Sequence, residues 1–472
     1  MQQSKSEALG REPVGKLLLK LAAPAIAAQV INLLYNLVDR MYIGHIQPAD
    51  TVGRVALTGV GVCLPLILII SAFAALAGQG AAPRASIFMG KGENDKAEEV
   101  LGNAVTSLVA LSVVLTVVFF VFAEPMLMAF GANDGTGGTD NTLYYGVSYL
   151  RIYALGTIFV LVTLGLNTFI SAQGFTTTSM LTVLIGAVCN IALDPVFIFA
   201  LDMGVAGAAL ATILSQAVSM IWILRFLTGK KTILKIRLKY LRPRWKVLLP
   251  NLALGLSPFI MMSTESLITV CFNTSLRKYG GDLAVGAMTI LSSVMQFSML
   301  PLQGLPQGAP PLISYNYGAR QPSRVKKTFF YTLICALVFS VSLWAGVQLA
   351  PTAFIHIFND DPALVDVAVP AMRLYMATAC LFGAQIACQQ TFVAIGNAKS
   401  SLFLALLRKI ILLIPLIYLL PAILPMDKTT AVYLAEPVAD TLAVITTVTM
   451  FAIQFRSAMK RLKGPATLPH EP

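Results

Sequence analysis

Long apolar stretches alternate with short polar segments along almost the whole chain of 472 residues. About twelve of these stretches have the ~20 residues that a helix needs to cross a hydrocarbon layer of ~30 Å. Because lipid cannot satisfy open backbone groups, each stretch is predicted to be a helix. Their centres lie near residues 28, 68, 112, 158, 188, 215, 260, 295, 340, 378, 412 and 443. The pattern predicts an all-α integral membrane protein with twelve transmembrane helices.

A twelve-residue segment at the end of the second stretch recurs at an offset of 228 residues, from Gln79 to Gln307. The two copies, QGAAPRASIFMG (79–90) and QGAPPLISYNYG (307–318), are identical at six of twelve positions. A second echo pairs residues 150–153 with 372–375. Such repeats are typical of transporters built from two similar halves. We therefore expect two six-helix pseudo-symmetric lobes of the same orientation, related by an axis along the membrane normal.

Charged residues make up only 12% of the chain, against about 25% in a typical soluble domain. Residues 225–246 contain nine Lys or Arg and no acid, which places this loop in the cytoplasm by the positive-inside rule. Because the basic residues follow membrane orientation, the net charge of +12 does not indicate nucleic-acid binding. The predicted parts are a cytoplasmic N-terminus (1–16), an N-lobe with helices 1–6 (17–228), a basic cytoplasmic linker (229–246), a C-lobe with helices 7–12 (247–456) and a cytoplasmic tail (457–472).

The first apolar stretch carries a polar stripe. Asn32, Tyr35, Asn36 and Asp39 follow helical spacing and share one helix face. A charge at membrane depth is costly, so this face should point to the protein interior or to a water-filled cavity. The alternative is that Asp39 lies at the outer end of the span and pairs with Arg40 or with lipid headgroups.

A second carboxylate of the first half lies in the fifth stretch. Asn190 and Asp194 are one helical turn apart and share a face. Pro195 has no N–H, so the carbonyl of Ile191 loses its helical partner. Carboxylate, amide and carbonyl oxygens together suit a hard cation, and such a carboxylate can equally hold a proton. The alternative is a purely structural Asp-Pro kink.

The second half shows one clear acid within its apolar stretches, Glu265. It is a candidate for cation binding or for contact with a cationic drug; the alternative is a carboxyl group satisfied by Ser263 and Thr264. The next stretch carries a further candidate surface for drugs. Methionines adapt to varied ligand shapes, but a methionine stripe also serves ordinary packing. The members of this stripe and the nearby amide are Met288, Met295, Met299 and Gln303.

The repeated segment resembles the hallmark of the multidrug and toxic compound extrusion (MATE) transporters. That hallmark is a Gln-Gly-x-x-Pro stretch followed by a Gly-rich charged loop in each half, and it falls on residues 79–92 and 307–320. The resemblance covers about residues 14–456 and is closest to bacterial small-drug pumps with an acidic N-lobe. It assigns a conformational role to Gln79, Gly80, Pro83, Gln307, Gly308 and Pro311.

The resemblance also implies a cation or proton site in the N-lobe. The family's acid on the first helix, Asn and Asp four apart on the fifth and Thr on the sixth fall on Asp39, Asn190, Asp194 and Thr212. Tyr35 and Asn36 belong to the same candidate group through their helix face. Pro24 matches a proline at which the first helix is proposed to bend.

The function implied is a secondary active multidrug exporter that antiports amphipathic, often cationic small molecules against H⁺ or Na⁺ by alternating access. The protein is expected to be monomeric, to lie in the inner or plasma membrane with both termini cytoplasmic, and to confer antibiotic resistance. We expect no cofactor beyond the coupling ion, no tightly bound metal and no enzymatic activity. The alternative is a flippase of lipid-linked saccharides from the same superfamily. Such a flippase needs cavity-lining cations for pyrophosphate, and the candidates lie mostly near span ends: Arg84, Arg151, Arg373 and Arg408.

Overall fold

The computed structural model describes residues 8–47, 52–135, 141–357 and 361–463. Within these ranges the apolar stretches are helical. The spans are α1 (Val14–Gly44), α2 (Arg54–Gly90), α3 (Asn94–Val121), α4 (Thr142–Leu155 and Thr157–Ala172), α5 (Thr176–Pro195), α6 (Gly204–Thr228), α7 (245–280), α8 (282–307), α9 (Pro322–Leu349), α10 (Pro362–Tyr375 and Phe382–Ala394), α11 (Ala398–Leu406 and Ile414–Ile423) and α12 (Lys428–Lys463). Parts of the predicted N-terminus and tail, residues 1–7 and 464–472, lie outside the described residues.

The described helices account for twelve membrane spans. Nine continuous helices are long and apolar enough to cross a membrane, and two bent pairs, α4 (59°) and α10 (40°), raise the number to eleven. The helix Trp245–Gln307 is interrupted at Gly281, whose φ of 64° and ψ of −159° only glycine adopts readily. This break separates α7 from α8, so the prediction of twelve transmembrane helices is confirmed.

Two helices change to π geometry for one or two turns. Segment Val196–Ala200 continues α5 beyond Pro195, and segment Leu407–Leu413 joins the two parts of α11. In helices, π-type turns often occur at functional sites because they redirect side chains. Both segments lie beside charged residues, Asp194 in the first case and Arg408 and Lys409 in the second.

The described chain forms two compact units. The first comprises residues 27–85 and 93–262, and the second comprises residues 8–26, 86–92 and 263–463. The start of α1 and the end of α2 therefore belong to the second unit, and the start of α7 belongs to the first. The lobe boundaries at residues 17–228 and 247–456 stay a prediction.

The first copy of the repeated segment is a close helix crossing in the first unit. A Cβ at Gly80 would overlap the backbone of Asn251 and Gly255 in α7, and a Cβ at Gly255 would overlap the backbone of Leu76 in α2. Helices approach this closely only where small residues face each other. The glycine of the motif is thus required for packing of α2 on α7.

The second copy repeats this crossing in the second unit. A Cβ at Gly308 would lie 2.7 Å from the backbone nitrogen of Ala22 in α1, and a Cβ at Gly304 would lie 2.7 Å from Cα of Ile26. Each copy of the motif therefore packs its glycine on the first helix of the opposite sequence half. The identical positions reflect an identical packing requirement.

The ends of the two copies also contact each other within the second unit. Gly90 packs against the backbone of Tyr315, and Gly318 packs against the backbone of Ile87. At the offset of 228 residues, Gly90 corresponds to Gly318 and Ile87 corresponds to Tyr315. The two contacts are therefore equivalent, as a two-fold relation between the copies requires. The hydroxyl of Ser86 adds a hydrogen bond to the carbonyl of Pro311 at 3.3 Å. A conformational role for the motif stays a prediction.

The basic linker is fixed to the first unit by buried acceptors. Glu98 of α3 forms an ion pair with Arg237 at 2.6 Å and accepts a hydrogen bond from the backbone N–H of Lys235 at 3.1 Å. Gln173 presents its Oε1 to the Thr232 hydroxyl and to two backbone N–H groups of residues 233–234, at 2.8–2.9 Å. The linker is therefore an ordered part of the unit rather than a loose tether.

Candidate functional site

Three of the predicted site residues meet where α5 packs on α6. Asn190 and Asp194 are buried on one face of α5, with 1% and 0% exposure. The Asn190 amide donates to Asp194 Oδ1 at 3.1 Å and to Thr212 Oγ1 at 3.5 Å. Thr212 donates its own hydroxyl to the carbonyl of Ala208 at 3.0 Å. The Thr212 oxygen therefore faces the site as an acceptor.

Asp39 of α1 completes this group. Its carboxyl group is close enough to the Asp194 carboxyl group for the two to interact electrostatically. Three buried oxygens have no hydrogen-bond donor among the described residues, namely Asp39 Oδ1, Asn190 Oδ1 and Asp194 Oδ2. Two neighbouring carboxylates repel each other when both are ionised. The four residues, called the α1–α5 site below, can thus accept a proton or a small cation bound by oxygen atoms.

One tyrosine of α4 adjoins the same group. Tyr149 and Tyr153 are stacked with ring centroids 6.1 Å apart, and both are buried. Tyr149 interacts with Asp39 and Thr212. Sequence reasoning missed Tyr149 as a site member. Its i, i+4 spacing from Tyr153 was the available signal, since it places two phenols on one face.

The remaining α1 candidates are placed less centrally. Tyr35 is half-buried near Asp39, whereas Asn36 is exposed and donates its amide to the Asn32 carbonyl at 2.6 Å. The structure therefore does not bring Asn36 into the α1–α5 site. Pro24 lies inside α1, which stays helical on both sides of it.

Glu265 has a partner that the sequence did not indicate. Its Oε1 accepts a hydrogen bond from Lys409 of α11 at 2.8 Å. The Lys409 side chain is 6% exposed and the Glu265 side chain 56% exposed. Satisfaction by Ser263 was wrong, because the Ser263 hydroxyl has no hydrogen-bond partner among the described residues.

A further prediction for the second half was wrong. Glu265 is not the one acid there, since Glu436 and Asp440 are buried within α12. Arg408, one of the arginines predicted to lie mostly near span ends, lies within α11, where it contacts Asp440 at 2.6 Å and Glu436 at 3.5 Å. Pairing with a cation on another helix is what allows these carboxylates inside an apolar span. The i, i+4 spacing of the two acids was the signal overlooked.

The methionine stripe of α8 is only partly available to a ligand. Met288 and Met299 are buried in the core of the second unit, with 4% and 6% exposure. Met295 is half-buried at the edge of that core, and Gln303 is exposed. Packing is therefore the role of the first two, and only Met295 and Gln303 remain candidates for drug contact.

Comparison with known proteins identifies the family. A family model described as MatE matches residues 24–196 and 258–419, which is more than half of the chain and includes one segment from each sequence half. The chain belongs to the MATE family. This MATE protein carries Asp39, Asn190 and Asp194 within the first matched segment and Glu265 within the second.

Curated relatives and solved structures agree with this assignment. The MATE protein is 25% identical over 406 residues to the multidrug export protein MepA of Staphylococcus haemolyticus, covering 86% of each chain. It is 24% identical to MepA of Staphylococcus aureus, covering 88% of each. The structure of the MATE multidrug transporter DinF-BH in complex with rhodamine 6G superposes with a TM-score of 0.85 at 33% identity, covering 95% of this chain and 98% of the other. A MATE crystal structure in the bent conformation shares the fold, with a TM-score of 0.88 at 21% identity over 98% and 99% of the two chains.

These findings confirm several predictions. The protein is a multi-pass membrane protein of the MATE fold, and it is a multidrug efflux transporter.

Proposed function

We propose that the protein exports amphipathic, often cationic small molecules in exchange for H⁺ or Na⁺ that binds at the α1–α5 site. The observation that carries the proposal is the pair of facing carboxyl groups, Asp39 and Asp194, with three buried oxygens that have no donor among the described residues. Arg40 acts electrostatically on Asp39, and an added positive charge at this position supplies the further neutralisation that two neighbouring carboxylates need. Asn190 of α5 and Thr212 of α6 add neutral oxygens, and the Asn190 amide nitrogen lies 3.1 Å from Asp194 Oδ1 and 3.5 Å from Thr212 Oγ1.

The proposed coupling follows from the helices involved. Asp39 belongs to α1, whereas Asp194 and Thr212 belong to α5 and α6. A bound proton or cation removes the repulsion between the carboxylates and so draws α1 toward α5 and α6. Without the ion, α1 can adopt another position. It can bend at Pro24, where the helical hydrogen bonds are already weakened.

The drug enters this scheme only through its preference for one state. Coupling requires that the ion and the drug stabilise different conformations, so that binding of one lowers the affinity for the other. Two halves that alternate between outward-open and inward-open states provide such conformations. Both chain termini and the basic linker lie on the cytoplasmic side in this proposal, and the exported molecule is moved without chemical change.

The flippase alternative is not favoured by the described basic residues. Arg84 donates to the carbonyl of Val247 at 3.0 Å, and Arg151 lies over the ring of Phe120 at 5.8 Å. Arg408 is held by two buried acids of α12. These cations are committed to protein partners, so they do not form the cluster that a pyrophosphate group requires.

The test is transport by purified protein in lipid vesicles. Rhodamine 6G, the compound bound in the DinF-BH structure, serves as the fluorescent cargo, and either a pH gradient or a Na⁺ gradient is imposed. We expect one of the two gradients to drive movement of the dye and to identify the coupling ion. Asp194→Asn is expected to abolish gradient-driven movement, because it removes the carboxylate that faces Asp39.

A matched control is available on the same hairpin. Asp202 is exposed between α5 and α6 with a φ of 52°, a conformation that Asn adopts as readily as Asp. Asp202→Asn should therefore transport like the parent protein. Full gradient-driven transport by Asp194→Asn, with both variants folded, would contradict the assignment of the ion site. Movement independent of either gradient would instead point to a flippase.

A further inference from the structure

The second unit contains a group of charges within its membrane-spanning helices that the proposed coupling site does not use. Five side chains from three helices form this acid–base cluster: Glu265 on α7, Arg408 and Lys409 on α11, and Glu436 and Asp440 on α12. Three acids face two bases, so the cluster carries one excess negative charge when all five are ionised.

Each base is already committed to a partner. The Arg408 guanidinium contacts Asp440 Oδ1 at 2.6 Å and Glu436 Oε1 at 3.5 Å, and its plane lies over the ring of Phe382 at 5.2 Å. Lys409 is bonded to Glu265 at 2.8 Å. A single guanidinium thus serves two carboxylates that lie one helical turn apart.

The carboxylates of Glu436 and Asp440 each have one oxygen that accepts no hydrogen bond among the described residues. Glu436 Oε2 and Asp440 Oδ2 are buried and have no hydrogen-bond donor among the described residues, and the two residues are 3% and 1% exposed. A buried ionised oxygen without a donor is costly in a low-dielectric setting. Two carboxyl groups that share a site relieve this cost by taking up one positive charge between them.

We infer that Glu436 and Asp440 together bind one proton, which gives the protein a second ion site in its second unit. The proton is shared by the pair, and the Arg408 guanidinium balances the charge that remains. The other groups that face the pair are Lys409 of α11, Glu265 of α7 and the Tyr375 hydroxyl of α10. With one proton bound, the acid–base cluster is neutral.

The π-helical segment of α11 makes this arrangement possible. Arg408 and Lys409 are adjacent in sequence, yet Arg408 contacts α12 and Lys409 contacts α7. Movement of α7 or α12 relative to this segment changes how well the bases neutralise the acids. Proton binding at Glu436 and Asp440 is therefore sensitive to conformation; its use in drug export rests on the proposed function.

The proton itself is tested by infrared spectroscopy on the full-length protein in lipid, in choline chloride. Asp39→Asn and Asp194→Asn are combined as a background, so that the first unit contributes no carboxyl proton. We expect this background to show the C=O band of a buried neutral carboxylic acid, which shifts in D₂O. Glu436→Gln and Asp440→Asn, each added separately, should remove the band, because either substitution neutralises the excess charge. Glu124→Gln, at an exposed acid outside the cluster, should leave it unchanged.

The outcomes separate the inference from the proposed function. Absence of the band from the background, or its persistence in both the Glu436→Gln and Asp440→Asn variants, would overturn the proton site. If the C=O band changes only when NaCl is added, the site binds Na⁺, and the inference of a proton site is likewise overturned. In proton-driven transport of rhodamine 6G we expect Glu436→Gln to reduce the number of protons exchanged per dye molecule by one, whereas Asp194→Asn abolishes gradient-driven movement of the dye. An unchanged proton number would overturn the link to export.

Discussion

Arg408 offers the clearest prediction of stability, because the structure shows what its removal leaves behind. Arg408→Gln leaves the buried carboxylates Glu436 and Asp440 without the cation that lies 2.6 Å and 3.5 Å from them. Removing one partner of a buried ion pair costs about 3–5 kcal/mol in the free energy of unfolding. For a domain of ~200 residues this corresponds to a melting temperature lower by roughly 10 °C.

The assay is thermal unfolding of the purified protein in lipid nanodiscs, followed by tryptophan fluorescence. Arg456→Gln is the matched control, because Arg456 is exposed at the end of α12 and its loss should shift the melting temperature by no more than about 2 °C. A triple variant, Arg408→Gln with Glu436→Gln and Asp440→Asn, removes all three charges and should recover most of the lost stability. The reasoning is refuted if Arg408→Gln unfolds at the parental temperature, or if the triple variant is no more stable than the single one.

Three smaller perturbations test other parts of the structure. Gly90→Val should lower the yield of folded protein and destabilise the fold by about 1–3 kcal/mol, because any Cβ at this position meets the backbone of Tyr315. Gly61→Val should have neither effect, because no atom lies within 4 Å of a Cβ at that position. Equal yields of the two variants in size-exclusion chromatography would argue against close packing of the motif copies. Gln173→Leu should expose the basic linker to trypsin, because it removes three hydrogen bonds at 2.8–2.9 Å; an unchanged cleavage rate would contradict linker docking. Thr212→Val should weaken ion-driven transport of rhodamine 6G without abolishing it, since it removes one neutral oxygen at 3.5 Å from Asn190; complete loss or no effect in the vesicle assay would count against a ligand role.

The membrane topology was predictable because it depends on local properties of the chain. The length and apolar character of each stretch indicate a span wherever the helix lies in the fold. Even the separation of α7 from α8 could be predicted, because the sequence shows two apolar stretches there. In the structure a single glycine, Gly281, interrupts the otherwise continuous helix from Trp245 to Gln307. The repeated motif likewise predicted two related halves, because the same glycine contacts must be made twice.

The site was predictable in part, and the division has a physical cause. Asp39 and Asp194 were singled out because an acid in an apolar helix is costly and therefore conspicuous, and Asn190 was singled out because it lies one helical turn from Asp194. Tyr149 belongs to the same site, but a tyrosine within a span is unremarkable until a neighbouring helix is placed beside it.

The charges of the second unit were misjudged for a related reason. Arg408 is stabilised by Asp440, which is 32 residues further along the chain, and spacing along one helix does not reveal a partner on another. Met288 and Met299 lie in the core of the second unit, and the sequence left their role open because a stripe that suits a drug cavity suits a packed core equally well. Pairing between helices is the information that only the fold supplied.

Release of the coupling ion upon drug binding tests the α1–α5 site most directly. Purified protein in weakly buffered nanodiscs is mixed with rhodamine 6G, and released protons are followed with a pH indicator, or released radioactive Na⁺ is counted. Linkage requires that a drug which disfavours the ion-bound state expels the ion. We predict that the drug releases the ion from the parent protein and from the Asp202→Asn variant. When Asp39 or Asp194 is replaced by Asn, the first unit should release no ion, so that the total amount released falls. Undiminished release from both the Asp39→Asn and Asp194→Asn variants would contradict an ion site at these two carboxylates.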